Sequence, residues 1–383
     1  MPHPSYDLDA IRRGIPILQR AVPMNNCSQA PLSDVTRRAA EEFLASWNGR
    51  GMDWDRWMEE VDLARATFAR LINAEDDEIA AVTSLSHAAT VIASALDFGG
   101  DRHTVVASDA EFPTVGHVWL AQASRGARVR WAPLPGGAPS IEEYDRAIDR
   151  STVIVSATHA WYLNGVQQDI AALARLAHDR GALIFVDAYQ SVGTAPIDVK
   201  ATGVDFLASG TLKYLMGTPG IAFLYVRRGR IADLRPTVTG WFGRENPFAF
   251  DATRLDWSAR ATRFEAGTPA IFSAYVSRAG MALLLDVGLA AIGEWNATLS
   301  RYLIEGGRAR GLVLHGPGDL CPKTPTTAFV CPGDSHEVER RLRDRGVIAS
   351  ARGPVIRLAP HFYSSLEDCD RALDALAAEL RGA

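Results

Sequence analysis

Between Asp77 and Val226 the chain alternates short, continuous apolar runs with stretches of helical period. The runs are Ile79–Thr83, Thr104–Ala107, Val129–Trp131, Thr152–Ser156, Ala182–Val186, Val204–Ala208 and Ile221–Val226. A strand that is apolar at successive positions must be covered on both faces, and strands separated by helices run parallel. This pattern predicts an α/β fold with a mainly parallel sheet covered by helices. Such a sheet has no room for charge inside, so ligands gather at the carboxyl ends of its strands. Asp187 closes one run, and Lys213 follows the next within a few residues. Ser140 with Glu143 reads as a capping box, and Asp169 as the start of a helix that stops near Gly181. After Ala270 the style changes to two long helices, strands at Leu312–Leu314, Thr327–Val330 and Val355–Leu358, and a last helix from Leu366 to Leu380. That reads as a smaller α+β unit.

Taken singly, Asp187 reads as a turn cap and Lys213 as a surface lysine. Together they supply what pyridoxal 5'-phosphate (PLP) asks of a protein: an acid for the pyridine nitrogen and a lysine for a Schiff base. Three blocks carry a resemblance: Asp187-Ala-Tyr-Gln-Ser-Val-Gly193, Lys213 with Gly217-Thr-Pro-Gly220, and Phe264-Glu-Ala-Gly-Thr-Pro269. In this order they resemble the class V aminotransferases, PLP enzymes that include cysteine desulfurases, kynureninase and isopenicillin-N-epimerase-like proteins. The resemblance runs from about Asn25 to Pro360. It implies PLP-dependent transferase fold type I, with a large PLP-binding domain at 25–265 and a small domain from 1–24 and 266–383.

It also implies roles for single residues. Ser86 and His87 would touch the cofactor phosphate at a helix N-terminus, where backbone N–H groups and the macrodipole favour anions. Phe112 falls where desulfurases carry a stacking histidine. Asp187 would pair with the pyridinium nitrogen, and Gln190 and Tyr162 would contact the phenolic oxygen. Lys213 would hold the cofactor and then act as base at Cα. Leu212 stands where relatives often have histidine, and Ser209 or Thr211 would replace part of that contact. Thr268 would reach the phosphate of the other subunit, which implies a homodimer with shared active sites. Arg357 would grip the substrate α-carboxylate, assisted by Asn26. The loop before Arg357, Ala351–Pro354, lacks the desulfurase cysteine. Transamination of an amino acid is the first expectation, with a lyase or epimerase as alternatives and a non-catalytic PLP-binding module as a remote one.

Composition excludes other classes. A chain of 383 residues with 47% hydrophobic and 22% charged residues suits an ordinary globular enzyme of more than one core. A formal charge of -5 without a dense basic run argues against nucleic acid. No Gly-x-Gly-x-x-Gly or Walker sequence follows a strand. The N-terminus lacks an export pattern, and the apolar stretch Ala279–Leu285 meets Asp286 too soon to span a bilayer. A cytoplasmic protein with no membrane partner is expected. Cys27, Cys321, Cys331 and Cys369 lack metal-ligand spacing and are expected to be small buried apolar residues.

Overall fold

The computed structural model describes residues 2–135, 138–317 and 322–381. Its central sheet contains β1 (Ile79–Val82), β2 (Thr104–Ser108), β3 (Arg128–Ala132), β4 (Thr152–Thr158), β5 (Leu183–Asp187), β6 (Phe206–Gly210) and β7 (Ala222–Val226). The seven strands lie in the order β1-β7-β6-β5-β4-β2-β3. Only β7 runs antiparallel to its neighbours, β1 and β6. All seven predicted strands are present, their ends shifted by one or two residues.

Alternation within the strands sorts side chains between two cores. Ile184, Val186, Leu207, Phe223 and Tyr225 face one layer, with helices Trp54–Ile72, Ile170–Asp179 and Ile271–Val287. Phe185, Phe206, Ala208, Leu224 and Val226 face the other, with helices Leu85–Ala95 and Pro113–Leu120. A third core collects Val22 and Met24 with Trp295, Leu299, Ile356 and Leu373. There β8 (Thr327–Val330), β9 (Ser350–Arg352) and β10 (Val355–Leu358) form an antiparallel sheet in the order β9-β10-β8. Val22–Pro23 pairs with Val347–Ile348, which joins the N-terminal segment to this unit.

Three local expectations are corrected. Leu312–Leu314 forms no strand; Leu314 makes a single bridge to Phe329. Ser140 stands before the Ile141–Ala147 helix but makes no cap hydrogen bond, because its hydroxyl turns to Glu142. The stretch Ala351–Pro354, expected as a loop, belongs largely to the β9–β10 hairpin. Asp169 caps the Ile170–Asp179 helix through the amide of Ala172, as expected. Cys331 and Cys369 are buried, and Cys321 lies outside the described residues.

One buried ion pair ties a distant loop to the sheet. Arg65 Nε and Nη2 donate to Glu265 at 2.9 and 3.1 Å, and the amide of Ala81 on β1 donates to the same carboxylate at 2.8 Å. Both side chains are buried. Removing the cation alone leaves a carboxylate in the interior, which costs roughly 3–5 kcal/mol. Arg65→Met should therefore lower stability by about that amount in urea titration, and Arg65→Met with Glu265→Gln should recover most of the loss. An unchanged midpoint in the single variant would show that the pair does not anchor this loop.

Candidate active site

A cavity of about 390 Å³ opens at the carboxyl ends of β4, β5 and β6. Ser86, Phe112, Tyr162, Asp187, Gln190, Lys213 and Arg357 all line it. Its volume falls in the range of small-molecule sites.

Asp187 is the last residue of β5, opposite Ala208 on β6. It is buried, and Oδ1 accepts from the amide of Tyr189 at 2.9 Å. Burial raises its pKa; the Tyr189 amide and the charge of Lys213 oppose that shift. Behind it stands Glu111, with both carboxyl oxygens buried and without a hydrogen-bond partner. Burial pushes Glu111 well above the ordinary carboxylate range, and Asp187 adds to the shift.

Lys213 follows β6 in a tight turn closed by Met216 N–H to the Lys213 carbonyl at 3.0 Å. Met216 has φ 58°, in the left-handed region, so the turn stores some backbone strain. Nζ lies 4.0 Å from the centroid of the Tyr189 ring and 5.7 Å from that of Phe112. The side chain faces the cavity but sits deep in the protein. Burial pulls its pKa down to about 8, Asp187 opposes the shift, and Arg357 and Arg352 reinforce it. The Tyr189 ring needs Gly210, where a Cβ would stand 2.2 Å from the ring.

Phe112 and Tyr162 meet edge to face at 5.2 Å and form an aromatic wall. Gln190 donates to the carbonyl of Cys27 at 3.0 Å, and its Oε1 is buried without a partner. Arg357 is buried on β10, held by the Tyr162 carbonyl at 2.7 Å, Ser28 Oγ at 3.0 Å and Ser350 Oγ at 2.6 Å. All three partners are neutral, and its Nε has none.

Other expected residues lie elsewhere. His87 is capped by Ser84 through its amide, and Nδ1 turns to Thr83 Oγ1 at 3.1 Å, so its ring does not line the cavity. Burial lowers its pKa. Ser209 and Thr211 give their hydroxyls to the Gly210 and Thr218 carbonyls. Asn26 is fully engaged, donating to the Ala359 carbonyl and accepting from Tyr363 Oη, both at 2.8 Å. Thr268 is exposed, on the loop that Glu265 anchors, and does not line the cavity of its own chain. The aromatics Trp54, Trp241, Phe248 and Phe250 pack against each other and leave the cavity walls to other residues.

Cys27, Ser28, Thr114, Tyr189 and Arg352 also line the cavity. Cys27 is thus more than a core filler. Tyr189 sat inside a recognised block, but nothing local marks Cys27 or Ser28, which arrive from the far end of the chain.

These residues fit PLP. The cavity offers a lysine amine, a buried acid at a strand end, aromatic walls, and the orphaned Gln190 Oε1. At the N-terminus of helix Leu85–Ala95, Ser84, Leu85 and Ser86 face it, where an anion is favoured.

A family model described as aminotransferase class-V matches residues 28–361. The "Uncharacterized aminotransferase YcbU" of Bacillus subtilis is 39% identical over 96% of this chain and 97% of its own length. A probable cysteine desulfurase of Methanothermobacter thermautotrophicus is 30% identical over 94% of each. Among solved structures, an apo cysteine desulfurase from Thermococcus onnurineus superposes with TM-score 0.88 over the full length of both chains, at 22% identity, a likeness of fold.

The Lys213 environment yields a pH prediction. In protein freed of cofactor, competitive acylation of Lys213 should show a midpoint near pH 8, below the ordinary lysine value of about 10.4. Asp187→Asn removes an attraction that favours the ammonium, so the midpoint should fall further. A midpoint that rises or stays in the variant would mean that Asp187 does not act on Lys213.

Proposed function

Because the chain belongs to the class V aminotransferases, a family of PLP-dependent enzymes, we propose that it transfers the amino group of an amino acid, with Lys213 and Asp187 as its catalytic pair. The observation that carries this reading is their convergence with Arg357 on one cavity at the sheet edge. When bound, PLP supplies an electron sink for charge that develops at the substrate Cα.

The protein does the rest. Asp187 would face the cofactor nitrogen, its carboxylate form favoured against burial by the Tyr189 amide and the charge of Lys213. Lys213 holds the cofactor, and once free it is an amine with a pKa close to neutrality, suited to take a proton from Cα and return it. Arg357 is pre-set by three neutral acceptors to receive the substrate carboxylate in two parallel hydrogen bonds. That grip would fix which bond at Cα stands perpendicular to the ring. Phe112 and Tyr162 would pack against the cofactor ring and exclude water from one side. Phe112 cannot move protons, so the proton traffic falls to Lys213.

Transamination is favoured over persulfide chemistry because the Ser350–Leu358 hairpin carries no cysteine. A homodimer belongs to the proposal: exposed Thr268 would complete the phosphate contact in the partner's cavity. The test of reaction type is a single half-reaction. An amino donor alone should transfer one amino group per site to the protein-bound cofactor, and an added keto acid should take it away. Accumulation of ammonia and pyruvate, without a demand for keto acid, would replace transfer with elimination.

The site assignments have separate tests. Borohydride reduction followed by peptide mapping should place the cofactor on Lys213. Asp187→Ala should keep its fold by circular dichroism yet lose several orders of magnitude in turnover. For the shared site, mixing Lys213→Ala with a Thr268 variant crippled in cofactor binding should restore part of the activity. A fully loaded, fully active monomer by light scattering would overturn the shared site.

A further inference from the structure

We propose that the substrate carries a second, distal anionic group, which Arg352 binds while Arg357 holds the α-carboxylate. This inference rests on the Arg357 assignment above. In the β9–β10 hairpin Ser350 pairs with Arg357, and Arg352 stands two residues along the same strand. Side chains two apart share a face, so Arg352 is the diagonal neighbour of Arg357, roughly 7–8 Å away. Ala351 and Ile356, on the opposite face, point into the third core. The hairpin thus presents its two arginines together, and both line the cavity.

Neither guanidinium has an anionic partner among the described residues. Arg357 is held only by a carbonyl and two hydroxyls. Arg352 is exposed at the mouth, and no ion pair or hydrogen bond engages it. The single carboxylate that lines the cavity is Asp187, and it acts on Lys213. Two like charges on one face of a hairpin repel each other. A buried charge without a counter-ion is costly as well. Arg357 is the buried one, and a ligand with two anionic groups would balance both. The α-carboxylate accounts for one and the side-chain terminus for the other, since the cofactor phosphate is assigned to the N-terminus of helix Leu85–Ala95. A guanidinium takes a carboxylate or a phosphate in the same forked geometry, so the terminus is defined as an anion of either kind.

The test is calorimetric titration of the PLP-loaded protein with propionate, succinate and 3-phosphonopropanoate, which have no amino group to react. Wild-type protein should bind at least one of the dianions ten times or more tighter than propionate. The tighter of the two identifies the terminus. Arg352→Gln should remove that preference and bring its affinity to the propionate level; the residue is exposed and unpaired, so the fold should be untouched. Dianions no tighter than propionate in the wild type, or a preference retained in Arg352→Gln, would overturn the inference. Arg357→Gln should weaken all three ligands. If it leaves propionate binding intact, the α-carboxylate assignment fails instead, and the two failures are told apart.

Discussion

Burial of the central sheet on both faces is the constraint from which the rest of the molecule follows. Val186 and Phe185 on β5, like Leu207 and Phe206 on β6, are fully buried in opposite cores. A carboxylate or an amine within such a strand would cost several kcal/mol without a partner. Charge is admitted only where the strands stop, and neighbouring parallel strands stop at one edge. Asp187 and the turn that bears Lys213 are neighbours for that reason. The cavity is the place where the sheet can no longer exclude polarity.

The same constraint explains what could be read from the sequence. Continuous apolar runs marked every strand of the central sheet, and the first charged residue after a run marked the site. The failures have a different origin. Ser140 kept the spacing of a capping box, but its hydroxyl found Glu142, a competitor that spacing does not reveal. Ser209, Thr211 and Asn26 were expected at the site, yet none lines the cavity, and local backbone carbonyls and Tyr363 absorb their polar groups. Ser28 and Ser350, which orient Arg357, are 322 residues apart and within 3.0 Å of each other. No window along the chain contains that contact.

The N-terminal segment is where this long-range closure is made. Val22 and Pro23 pair with Val347 and Ile348, Asn26 bonds to Ala359, and the Cys27 carbonyl receives Gln190. A short stretch of chain thus links the antiparallel unit, which carries Arg357, to the strand-end turn after Asp187. Arg357 and Asp187 come from different sheets. Their relative position depends on Asn26, Cys27 and Ser28 more than on either sheet alone.

Charge balance gives the site its direction. Two acids, Glu111 and Asp187, are buried near one another, and burial disfavours ionisation of both. The charge of Lys213 and the Tyr189 amide, which donates to Oδ1, favour the carboxylate form of Asp187. Burial and the neighbouring Asp187 push Glu111 well above the ordinary carboxylate range, which favours negative charge at the strand end that faces the cavity. On the other side, Arg357 and Arg352 disfavour the charged form of Lys213. An amine between an acid and two guanidiniums is held close to neutrality, able to give up and regain a proton at little cost. A carboxylate bound by the arginines would cancel part of their field and raise the basicity of Lys213. Substrate binding itself would then strengthen the base at the moment a proton has to leave Cα.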